Sequence, residues 1–174
     1  MNLTGKKILM IVAPDNFRDE ELLEPKEIFE GYGAEVMIAS KDTNSAEGML
    51  GAFVTVDIDI SEIKIEDYDA IIFVGGSGSS VYFDDEMILD LAKKAYEKNK
   101  IIGAICIAPS ILANSGILKN KKATCFSSEK ENLEERGAEY TGRGVEKDDN
   151  IITANGPNSA SAFGQKISET LNQE

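Results

Sequence analysis

Cys106 is the residue whose type and setting point most directly to chemistry. It sits in KIIGAICIAPSILANSGIL, after an apolar run of strand length and before a run of helical period. A cysteine on a sharp strand-to-helix turn exposes its sulfur and faces the first N–H groups of the helix, which favours thiolate and hence nucleophilic attack. The usual base for such a cysteine is histidine. The 174 residues contain none, so an identical subunit has none to lend. Any reaction here runs without imidazole.

A nucleophile of this kind needs an oxyanion cradle and a proton carrier. Backbone N–H groups of Ile107, just after the cysteine, and of Gly76, at the end of the preceding apolar strand, are candidates for the cradle. Glycine at 76 also lets backbone approach a ligand closely. For the proton, carboxylates remain. The segment after the first strand carries Asp19, Glu20 and Glu21 in a row, and the residues alone leave open which of them serves. A carboxyl group held in a partly apolar site beside sulfur tends to stay protonated, ready to donate.

The elements that must position these groups alternate along the chain. Strand-length apolar runs fall at 7–13, 35–40, 70–74, 101–106 and 151–154, and helical periods at 20–30, 84–98, 108–114 and 159–171. Alternation predicts an α/β fold in which a mostly parallel central sheet carries helices on both faces, with ligands at the carboxyl ends of the strands. Residues 51–60 read as an extra strand or hairpin and 123–126 as a short strand. Ser128 and Glu131 match a capping box opening a helix that runs to Arg136, and 142–150 reads as a hairpin loop around Lys147–Asn150. One unit spanning residues 1–174 is expected.

Composition excludes several function classes. A net charge of −13 argues against nucleic acid as a partner, and the first apolar stretch is too short to span a membrane. With two cysteines and no signal-like segment, a cytoplasmic location is expected. The glycine-rich 75–80 segment lacks the spacing of a phosphate loop. Asp57, Asp59 and Ser61 imitate a calcium loop but lack its glycine and its final glutamate, and no metal site or cofactor is expected.

Four segments together resemble the ThiJ/PfpI superfamily across nearly the whole chain: Phe17-Arg18-Asp19-Glu20-Glu21-Leu22-Leu23-Glu24-Pro25, Phe73-Val74-Gly75-Gly76, Ala104-Ile105-Cys106-Ile107-Ala108-Pro109 and Thr153-Ala154-Asn155-Gly156-Pro157. The resemblance implies a flavodoxin-like three-layer sandwich with Cys106 as the reactive cysteine on a nucleophile elbow. It selects Glu21, four residues before the proline, as the site glutamate, implies Gly76 and Ile107 as the cradle, and implies a homodimer or larger homo-oligomer. Protease members place a histidine directly after the cysteine, where this chain has Ile107, so classical proteolysis is not expected. The glyoxalase and deglycase branch uses an assisting histidine whose place falls at Cys125, a possible accessory thiol. The leading expectation is a glyoxalase- or deglycase-like enzyme acting on a small electrophilic carbonyl. The alternatives are a redox or stress sensor using Cys106, alone or with Cys125, and a holdase chaperone.

Overall fold

The computed structural model describes residues 1–173. Strands β1 (Lys7–Ile11), β2 (Asp15–Phe17), β3 (Glu35–Ser40), β4 (Ser45–Gly48), β5 (Phe53–Thr55), β6 (Ile58–Asp59), β7 (Ala70–Phe73), β8 (Ile101–Ile105), β9 (Lys122–Ala123), β10 (Glu139–Tyr140), β11 (Val145–Asp148) and β12 (Ile151–Ala154) are interleaved with five helices. These are α1 (Asp19–Gly31), α2 (Glu86–Glu97), α3 (Pro109–Ser115), α4 (Lys130–Glu135) and α5 (Ala160–Leu171). The main sheet has the order β11-β12-β8-β7-β1-β3-β6, parallel except for the antiparallel β11 edge.

Period-two alternation along the central strands explains why they are apolar throughout. Leu9, Ile11, Ile71, Phe73, Ile102 and Ala104 join the core beneath α2 and α3. Ile8, Met10, Ile72, Ile101 and Ile105 join Leu22, Phe29, Phe163 and Ile167 on the other face. There α1 and α5 lie so close that a side chain at Gly164 would stand 2.9 Å from the Pro25 Cα. Strand order reverses beside β1, since β3 and β6 lie on one side of it and β7, β8 and β12 on the other. The carboxyl ends of β1 and β7 therefore open onto a crevice of the kind in which such sheets bind ligands, and β8 ends beside it.

Several local expectations are corrected. The hairpin read at 51–60 begins earlier: β4 and β5 are its antiparallel arms, and β2 pairs with β4 to make a separate three-stranded sheet. Leu50 and Ala52 direct their N–H groups to the Asp19 carboxylate at 2.8 and 2.7 Å, which ties this turn to the start of α1. The strand at 123–126 shortens to β9. The capping box does not form, because the Ser128 hydroxyl donates to the Glu129 carboxylate at 2.6 Å and the chain enters α4 through a 3-10 turn, Ser127–Glu129. The loop at 142–150 closes as a tight turn at Asp149 and Asn150, with Asp149 at φ 51°.

Candidate functional site

Cys106 follows β8 directly and takes φ 65°, a left-handed conformation that costs an L residue about 1–3 kcal/mol. Two backbone bonds enforce it. Its N–H donates to the Ala154 carbonyl at 2.9 Å, and its own carbonyl accepts from the Phe126 N–H at 2.7 Å. Pinned from both sides, the residue aims its sulfur at the N–H groups of Gly76 and Ile107, and both contacts act to hold the thiol's pKa down.

Gly76 is a glycine of necessity. At φ 98°, a side chain there would strike the Arg18 backbone nitrogen and come within 2.6 Å of the Asn16 carbonyl. Gly75 is equally constrained: a side chain would collide with Glu21 Oε2 and lie 2.6 Å from the Cys106 Cβ and from the Ile105 carbonyl. The sequence reading argued only Gly76 for close approach. The role of Gly75, which leaves the room that carboxyl and sulfur share, is signalled only by the doubling of the glycine.

The three adjacent acids separate cleanly. Asp19 is buried and bonded to the β4–β5 turn. Glu20 forms a double hydrogen bond with the Arg18 guanidinium, at 2.7 and 3.0 Å. Glu21 alone turns inward, with no exposed surface. Neither of its oxygens completes a hydrogen bond of standard geometry, although the Cys106 thiol and the Gly75 N–H face the carboxyl closely enough to oppose the effect of burial. Pro25, having no N–H, cannot bond the Glu21 carbonyl one turn back, so the backbone ladder of α1 is interrupted at the residue that carries this carboxyl.

Burial dominates the electrostatics. It pushes the Glu21 carboxyl up to about 7, despite the thiol, the Gly75 N–H and the Arg18 charge. Burial, followed by the Glu21 charge, pushes the Cys106 thiol up to about 12. This corrects the expectation that the elbow favours thiolate: the two N–H groups act in that direction but are outweighed. Below about 7 carboxyl and sulfur both hold protons, and as the pH rises the carboxyl gives its proton up first while the sulfur keeps its own.

Cys106, Glu21, Gly76 and Ile107 thus come together at one point. Cys125 lies behind them, almost fully buried. Its thiol is pushed up to about 12, by burial first and then by Glu129 and Cys106. Both cysteines are free. Thr124 fixes this segment to β12, its N–H donating to the Thr153 hydroxyl at 2.9 Å. Among the described residues no cluster of three acidic, cysteine or histidine side chains is placed to hold a metal ion, and no helix is long and apolar enough to cross a membrane.

The DJ-1/PfpI family model matches residues 6–170. The chain is 42% identical over 173 residues to an uncharacterized protein of Methanocaldococcus jannaschii, covering 98% of this chain and 84% of the other. It is 30% identical to the glutathione-independent glyoxalase DJR-1.2 of Caenorhabditis elegans, with coverage of 95% and 89%. It is 29% identical to the deglycase PfpI of Pyrococcus furiosus, with coverage of 95% and 99%. Among solved structures, a ThiJ/PfpI domain protein from Brachyspira murdochii superposes with a TM-score of 0.95 at 34% identity, covering 98% of this chain and 99% of that one.

Proposed function

This chain belongs to the DJ-1/PfpI family, and we propose that it is a glyoxalase- or deglycase-like enzyme that works on small reactive carbonyls through Cys106 and Glu21. The observation that carries this is the fully buried, unpaired Glu21 carboxyl, pushed up to about 7 beside a sulfur that two backbone N–H groups face. A group titrating near the working pH both takes and returns a proton efficiently.

With methylglyoxal, Glu21 takes the thiol proton as the sulfur forms its bond to the aldehyde carbon. The resulting oxyanion lies against the Gly76 and Ile107 N–H groups and becomes the hemithioacetal hydroxyl. Glu21, having passed the thiol proton to that oxyanion, removes the hydrogen from the same carbon to give an enediolate and returns it to the neighbouring carbon, while the hydroxyl proton passes to the neighbouring oxygen, which leaves a thioester of lactate. Water hydrolyses the thioester and restores the thiol. One methylglyoxal and one water give one lactate, with the oxidation of one carbon balanced by reduction of the next. Proton NMR of purified protein with methylglyoxal tests this. Lactate should form in the wild type and fall at least 100-fold in Cys106→Ser and Glu21→Gln. Undiminished turnover in Cys106→Ser refutes the mechanism.

We further propose a homodimer, to which the exposed apolar side chains of Leu23 on α1 and of Met49, Leu50 and Phe53 at the β4–β5 hairpin would contribute. Replacing Leu50 and Phe53 with Ser should convert a dimer to a monomer in light scattering. A second reading, oxidant sensing, is favoured by the contrast between a partly exposed Cys106 and a buried Cys125. It places oxidation on Cys106 alone, and peroxide-treated protein should gain oxygen there by mass spectrometry.

A further inference from the structure

Methylglyoxal has only five heavy atoms, yet a cavity of about 370 Å³ opens beside the elbow. That is within the range of sites that enclose whole small-molecule ligands. Its walls are the Cys125–Ser127 turn, Tyr140 and the Asn155–Ser159 segment. Two of these walls touch the elbow directly: Phe126 donates its N–H to the Cys106 carbonyl at 2.7 Å, and Asn155 follows Ala154, which accepts from the Cys106 N–H at 2.9 Å.

The lining is unusual for this protein. Acidic and basic residues make up 28% of the chain, yet none of them lines the cavity. The polar groups there are hydroxyls and carboxamides. The Ser159 hydroxyl donates to the Asn155 side-chain Oδ1 at 2.7 Å, which leaves the Asn155 NH₂ group pointing elsewhere. Among the described residues, the hydroxyls of Ser127 and Tyr140 and the amide of Asn158 bond to no other protein group. The half-exposed Phe126 ring supplies an apolar wall close to Gly156. Free hydroxyl and amide groups around an aromatic face match an uncharged chain bearing several hydroxyl groups, and no acidic or basic side chain of the lining is there to neutralise an ionised tail.

We propose that this cavity binds the tail of the substrate, so that the preferred substrates are α-oxoaldehydes carrying an uncharged polyhydroxylated chain, as formed by dehydration of sugars. The proposal rests on the carbonyl chemistry assigned above to Cys106 and Glu21. The aldehyde carbon meets the sulfur, and the tail lies between Phe126 and Asn155.

Two measurements test it separately from that chemistry. First, 3-deoxyglucosone and methylglyoxal are compared by kcat/KM in the wild type, Tyr140→Phe and Asn155→Ala. Each variant should lower the ratio of the two constants about fivefold, the worth of one hydrogen bond. Second, xylitol, which has no carbonyl to react, is titrated into ¹⁵N-labelled protein. It should shift the amide signals of Ser127 and of Asn155–Ser159. An unchanged ratio in both variants, or xylitol titrations that leave those amides still, overturns the cavity assignment. If neither aldehyde is converted while xylitol still shifts those amides, the carbonyl chemistry fails and the polyol site stands.

Discussion

Replacing Glu21 with Gln should make the protein's stability respond to pH in a way that isolates the buried carboxyl. In the folded chain this group titrates at about 7, against an ordinary value of 4.5. Folding therefore strengthens proton binding, and the native state is favoured on the acid side. As pH rises from 4.5 through 7 that advantage is lost, because above 7 the folded protein must hold a bare carboxylate that the unfolded chain would leave in water. The separation corresponds to about 3 kcal/mol, and roughly 2 kcal/mol of it falls between pH 5.5 and 8. Gln carries no charge at any pH, so Glu21→Gln should gain on the wild type by about 2 kcal/mol over that interval. For a chain of this length that is about 4–8 °C in Tm. Cys106 stays protonated throughout the window and does not blur the result. Urea unfolding of both proteins at pH 5.5, 6.5, 7.25 and 8, at one protein concentration, gives the gap directly. Any constant offset reports the packing of Gln and is set aside. A gap that does not change with pH would show that Glu21 titrates as an ordinary carboxyl, and the proton-carrier role would go with it.

Three further outcomes follow from the same geometry. Glu21→Gln removes the charge that helps to raise the Cys106 thiol, so iodoacetamide should alkylate Cys106 faster in the variant than in the wild type at pH 8–9, as read by mass spectrometry; an equal or slower rate counts against the coupling. Gly75→Ala places a methyl group against Glu21 and Cys106 and should cost about 2–4 kcal/mol in urea unfolding, while Gly31→Ala, which meets open space, should change stability little. Asp19→Ala leaves the Leu50 and Ala52 N–H groups without their acceptor and should cost about 2–3 kcal/mol, with hydrogen exchange accelerated at those two amides first.

The central sheet was legible because its middle strands are buried on both faces, which writes unbroken apolar runs into 70–73 and 101–105. Cys106 was legible for a related reason, since a strand run that stops at a cysteine and restarts as Ala-Pro marks an elbow. The β4–β5 hairpin was misplaced because its register depends on Asp19, more than twenty residues away, accepting two turn N–H groups. No local period records a contact of that kind. Likewise Ser128 carries a capping signature, but a neighbouring Glu129 captures its hydroxyl. The residues alone could not choose among Asp19, Glu20 and Glu21. Their difference lies in burial, and burial is set by how α1 packs against α5 and β3.

That same burial answers the absence of histidine. An imidazole is useful because it titrates near 7, where both of its protonation states are populated. A carboxyl in water does not, but one with no exposed surface is brought to about 7 by burial, even though the Cys106 thiol and the Gly75 N–H pull the other way. The bare backbone of Gly75 leaves the room that this carboxyl and the sulfur share. A lysine or arginine side chain placed against Glu21 would hold the carboxylate, return its pKa toward the ordinary range and take away the proposed proton carrier. Burial against only weak opposing contacts is therefore what fits this carboxyl to the role proposed for it in place of an imidazole.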